Sequence, residues 1–90
     1  MNLTNEQLLD VLKTTITVDR YGNKYWFLNN QFHRIDGPAV EYSDGTKEWF
    51  LNGDRHRTNG PAVEKNNGDK FWFLNGKELT EDEFNKRTAN

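Results

Sequence analysis

One spacing governs this chain. Trp26, Trp49 and Trp72 stand 23 residues apart, and the same step carries Gly22 to Gly45 and Gly68, and Lys24 to Lys47 and Lys70. It also carries Phe27-Leu28-Asn29 to Phe50-Leu51-Asn52 and Phe73-Leu74-Asn75. The second half of the unit occurs twice, as His33-Arg34 with Gly37-Pro38-Ala39-Val40-Glu41 and as His56-Arg57 with Gly60-Pro61-Ala62-Val63-Glu64. The unit reads G-x-K-x-W-F-L-N-G-x-x-H-R-x-x-G-P-A-V-E, with two full copies and a third that stops after its hairpin. A short period of this kind means small supersecondary units that bury their apolar faces against one another. All seven glycines and both prolines fall between Gly22 and Gly76, where they mark turns.

Each unit reads as strands. Asn52-Gly53 and Asn75-Gly76 between apolar residues predict two-residue hairpin turns, and Asn29-Asn30 does the same with Asn30 in place of glycine. Asp44-Gly45 and Asn67-Gly68 mark a second turn, and Gly37-Pro38 and Gly60-Pro61 mark a bend. A two-residue loop fixes the register. It puts Leu51 opposite Asp54, Phe50 opposite Arg55, Trp49 opposite His56 and Glu48 opposite Arg57. In the first copy it puts Phe27 opposite Phe32, Trp26 opposite His33 and Tyr25 opposite Arg34; in the third, Trp72 faces Leu79. Three-residue loops at the second turn put Glu41 opposite Lys47, Glu64 opposite Lys70, Ala39 beside Trp49 and Ala62 beside Trp72. The Trp and Leu positions then line one face of the sheet and Phe27, Phe50 and Phe73 the other.

The ends depart from the period. Thr4-Asn5-Glu6-Gln7 forms a capping box ahead of Leu8, Leu9, Val11 and Leu12, which predicts a helix within residues 1–14. Thr15-Ile16-Thr17-Val18 is β-branched and alternating, so it reads as a strand that pairs with the first repeat through a turn near Tyr21-Gly22. Thr80-Glu81-Asp82-Glu83 is a second capping box, opening a helix through Phe84 to about Arg87. The fold class is therefore mainly β: one domain over 1–90, an antiparallel meander over 15–79, and a short helix closing it at each end, the second within 80–90.

The motif W-F-L-N-G-x-x-H-R-x-x-G-P-A resembles tandem repeats of small proteins from bacteriophages and large DNA viruses, over roughly residues 22–79. It is loosely similar to variants grouped with MORN repeats. The resemblance implies a meander of β-hairpins and a phage-encoded accessory protein acting in a host cytoplasm. The glycine and tyrosine pattern usual in MORN repeats is absent, so phosphoinositide binding does not carry over.

Composition narrows the chemistry. A mean hydropathy of -1.03 is low for a globular chain, but 13% aromatic residues is high for a disordered one. With no cysteine there is no thiolate nucleophile, disulfide framework or thiolate zinc site. A net charge of -2 argues against extended nucleic acid, whose binding depends on neutralising phosphates. No apolar run approaches a membrane span, and no secretory signal is expected at the N-terminus.

The two His-Arg pairs could in principle serve as a general base with an oxyanion partner. The register favours a scaffold role, with each imidazole beside an indole and Arg57 paired with Glu48. Two histidines 23 residues apart fall short of metal-ligand spacing, and nothing calls for a cofactor. No enzymatic activity is expected. The aromatic surplus points instead to a protein-binding module that engages or inhibits a host protein. Its candidate contact residues are Trp26, His33, Arg34, Trp49, Phe50, Arg55, His56 and Arg57, since Trp, Tyr and Arg anchor most interfaces. The alternative is a nucleotide or short nucleic acid stacked between Trp and Arg. Open sheet edges also make a homodimer an expectation.

Overall fold

A computed structural model describes residues 2–89. Helix α1 (Asn5–Lys13) precedes strands β1 (Thr15–Val18), β2 (Lys24–Leu28), β3 (Gln31–Phe32), β4 (Val40–Glu41) and β5 (Lys47–Glu48). Then follow β6 (Phe50–Leu51), β7 (Asp54–Arg55), β8 (Val63–Glu64), β9 (Lys70–Leu74), β10 (Lys77–Leu79) and helix α2 (Glu81–Thr88). The main sheet runs β1-β2-β4-β5-β8-β9-β10, antiparallel throughout; β3 branches from β2, and β6 pairs with β7 apart from it. The expected class holds: an antiparallel β-meander with a helix near each end.

The turns set the strands. Asn52 and Gly53 have φ of 49° and 87°, and Asn29 and Asn30 have 52° and 63°, the left-handed pair that a tight two-residue hairpin needs. The predicted pairs Phe27–Phe32, Phe50–Arg55, Leu51–Asp54, Trp72–Leu79, Glu41–Lys47 and Glu64–Lys70 are all present. The turn between β1 and β2 closes on Asp19, whose carboxylate accepts from the backbone N–H of Tyr21 and Asn23 and from the Tyr25 hydroxyl. Burial works against that carboxylate's charge, but these hydrogen bonds outweigh it and hold its pKa below the usual value.

The hairpins part company at their Trp-His ends. Beyond His33, whose N–H donates to Trp26 O, the chain leaves β2, and the Arg34 N–H donates to Phe50 O instead. Tyr25 therefore faces Val40 of the returning β4, not Arg34 as the hairpin register alone predicts. The Trp49 N–H donates to Ala62 O as the Trp26 N–H does to Ala39 O, and Ala39 and Ala62 are both fully buried in these crossings.

The two helices differ. Both start with complete capping boxes, at Thr4 with Gln7 and at Thr80 with Glu83, and each cap is worth about 1 kcal/mol. Helix α2 packs on β9 and β10 and buries Phe84 beside Leu79. Helix α1 meets the sheet through Asp10, which faces His33, but buries none of its own residues, and Leu12 is 79% exposed.

Candidate functional site

Strand alternation separates the expected contact residues into two groups. Phe27, Phe32 and Phe50 pack with tilted rings at centroid distances of 5.1 and 5.2 Å, and Tyr25 stacks 6.1 Å from Phe32. Arg55 continues this row, lying 5.4 Å from the Phe50 ring and 5.6 Å from the Phe73 ring. Phe50 and Arg55 thus belong to one side; Trp26, His33, Arg34, Trp49, His56 and Arg57 form two clusters elsewhere. The eight residues are not a single surface.

Within the Phe row the occupants of matching positions change together. Tyr25 and Phe32 are an aromatic stack; 23 residues on stand Glu48 and Arg55, an ion pair at 2.8 Å. Glu48 is nearly buried and also accepts from the Tyr42 hydroxyl at 3.1 Å. This overturns the expected Glu48–Arg57 pair. Arg57 binds Glu64 at 2.9 Å, and Arg34 binds Glu41 at 3.0 Å.

Each Trp-His-Arg cluster is built around its arginine. The Arg57 guanidinium lies 3.8 Å from the Trp49 ring, and that of Arg34 lies 4.1 Å from Trp26. Arg57 Nη1 donates to Pro61 O and Glu64 Oε2, and its Nε to Asn59 Oδ1. Arg34 donates in the same way to Pro38 O, Glu41 and Asp36. The glycine of Gly-Pro-Ala floors this arrangement. A Cβ on Gly60 would stand 2.9 Å from Arg57 Cζ, and one on Gly37 would stand 2.8 Å from Arg34 Cζ. Sequence reasoning took Gly37 and Gly60 only as bends. Their spacing of three from Arg34 and Arg57 was the available signal.

Beyond lying beside an indole, each histidine is fixed by hydrogen bonds to its ring nitrogens. His33 is 3% exposed; its Nδ1 accepts the Asn52 N–H at 3.0 Å, and its Nε2 faces both Asp10 carboxylate oxygens at 2.9 Å. An accepting Nδ1 puts the proton on Nε2, which donates to Asp10. His56 Nδ1 accepts the Asn75 N–H at 2.9 Å in the same way. Its Nε2 has no hydrogen-bond partner among the described residues.

Beside His56 lies an open cleft of about 560 Å³, lined by Gln7, Pro38, Trp49, Leu51, His56 and Arg57 among others. Its arginines are already committed to indoles, carbonyls and carboxylates, which leaves little free positive charge for a phosphate. Among the described residues no group of three or more His, Asp or Glu side chains could hold a metal ion, and no helix is long and apolar enough to cross a membrane.

The large exposed apolar residues lie elsewhere. Leu8, Leu9, Leu12, Ile16, Val18 and Tyr21 all belong to α1, β1 or the turn after it. None was among the expected contact residues. The signal was present in the sequence, because α1 places Leu8 and Leu12 one turn apart on one stripe. No family model, characterised protein or solved structure matches this chain.

Proposed function

We propose that the protein is a small cytoplasmic binding module that works by gripping another protein chain, with α1 and β1 as the contact. The observation behind this reading is the placing of the exposed apolar side chains. Every large one among the described residues lies between Leu8 and Tyr21. Concentrated apolar exposure marks interaction surfaces. Strand β1 adds a second attraction: it is the sheet's outer strand, pairs only with β2, and is exposed along its whole length. Its free backbone donors and acceptors can take up an added strand from a partner, while Ile16 and Val18 supply side-chain contact. Stacking of a nucleotide between Trp and Arg finds less support, since both indole-bound guanidiniums are spent.

The test compares the wild-type chain with Ile16→Lys and Leu12→Glu. Both changes fall on exposed positions, so the melting temperature should stay the same. The wild type should self-associate in light scattering or retain a discrete protein from lysate, and each substitution should abolish that behaviour. A wild type that stays monomeric at millimolar concentration and retains nothing would overturn the reading, as would variants that bind as well as the wild type.

A further inference from the structure

The two Trp-His-Arg clusters share residue types and bonds but differ in what faces the histidine. In the first, α1 lies against the cluster and Asp10 meets His33 Nε2 at 2.9 Å. Helix α1 divides the space there into two smaller gaps, one of about 240 Å³ lined by Val11, Trp26 and Arg34 among others and one of about 360 Å³ lined by Leu9, Asp10 and Leu28 among others. In the second, Trp49, Leu51, His56 and Arg57 repeat Trp26, Leu28, His33 and Arg34, yet the space beside them is the 560 Å³ cleft. The Asn75 N–H holds His56 Nδ1, so Nε2 carries the proton and is a donor without an acceptor among the described residues.

From this contrast we infer that the cleft at His56 is a receptor for an acidic α-helix of a partner protein. That helix presents an aspartate to His56 Nε2, as α1 presents Asp10 to His33. The chain carries its own template for the ligand. The carboxylate supplies the acceptor that His56 Nε2 lacks, and apolar neighbours on the helix rest on Trp49 and Leu51, as Leu9 and Val11 line the spaces beside Leu28 and Trp26. A carboxylate suits this place because the His56 imidazole N–H calls for an acceptor, while the one carboxylate lining the cleft beside it, Asp36, is held by Arg34 Nε at 3.0 Å. The site is separate from the apolar stretch of α1 and β1 and does not depend on its role.

The ligand can be tested with a peptide of residues 2–14. A nine-residue helix is marginal alone, so the peptide is stapled across Leu8 and Leu12, which face solvent in the parent chain. It is titrated into isotope-labelled full-length protein and followed by amide NMR. Saturable shifts are expected at Asn75 and at the His56 ring. An Asp10→Asn peptide should bind at least fivefold more weakly, and Thr58→Trp, which narrows the cleft at an exposed position, should abolish the shifts while the rest of the spectrum is kept. Shifts confined to Asn52 would mean exchange with α1 at His33 and would overturn the inference. So would equal binding of the Asp10→Asn peptide, or no shift at millimolar peptide.

Discussion

Replacing Glu48 and Arg55 together should cost almost nothing, although replacing Arg55 alone is expensive. With Arg55→Phe, the Glu48 carboxylate, 9% exposed, loses its cation. Breaking a fully buried pair costs about 3–5 kcal/mol. Here Arg55 is 44% exposed on its side chain, and the Tyr42 hydroxyl still serves Glu48, so the expected loss falls to roughly 2 kcal/mol. With Glu48→Tyr alone, Arg55 can turn to water, and the loss is about 1 kcal/mol. The double variant Glu48→Tyr/Arg55→Phe recreates the Tyr25–Phe32 pair, whose rings are 6.1 Å apart. An aromatic pair contributes about 0.5–1.5 kcal/mol beyond its buried area. The formal charge stays at -2, since one acid and one base are removed. The double variant should lose no more than about 1 kcal/mol relative to the wild type, giving a coupling energy of about 2–3 kcal/mol in a double-mutant cycle. Urea unfolding followed by tryptophan fluorescence measures it. A coupling below about 0.5 kcal/mol would show that positions 48 and 55 do not act as a pair and would refute the reasoning.

Two further expectations concern the arginine floor and alkaline pH. Gly60→Ala places a Cβ 2.9 Å from Arg57 Cζ; it should displace the guanidinium from Trp49 and cost about 1–2 kcal/mol of unfolding free energy, and a Trp49 fluorescence and stability equal to the wild type would refute that. Burial, reinforced by the Glu48 carboxylate, raises the Tyr42 pKa above its ordinary 10.0. The unfolded chain therefore ionises first, and stability present in full below pH 10 is lost as pH climbs through the higher folded value. Tyr42→Phe should flatten that alkaline decline in denaturation curves taken at pH 8–11, and an unchanged slope would refute the assignment.

Much of the sheet could be read from local chemistry. Asn-Gly turns and their registers depend on two residues and a parity rule, so Leu51 opposite Asp54 and Trp72 opposite Leu79 follow without knowledge of the rest. The capping boxes at Thr4 and Thr80 are equally local. What escaped was set by returns of the chain over longer distances. Val40 comes back beside Tyr25, and that return takes Arg34 out of its hairpin register. An arginine also reaches past its cross-strand neighbour, so Arg57 finds Glu64 seven residues on and leaves Glu48 to Arg55. The candidate site was legible as residue types but not as a surface. Alternation separates Phe50 and Arg55 from the indoles, and the cleft beside His56 is closed on one side by Gln7 of α1, a neighbour far away in the chain.

Each imidazole acts as a fastener with a direction. His33 grips the amide of Asn52 and His56 that of Asn75, each 19 positions downstream. The next position in the series holds Leu79, whose side chain has no nitrogen to offer and is buried just ahead of α2. With leucine at that position, the run of imidazole-to-amide fastenings stops at Asn75.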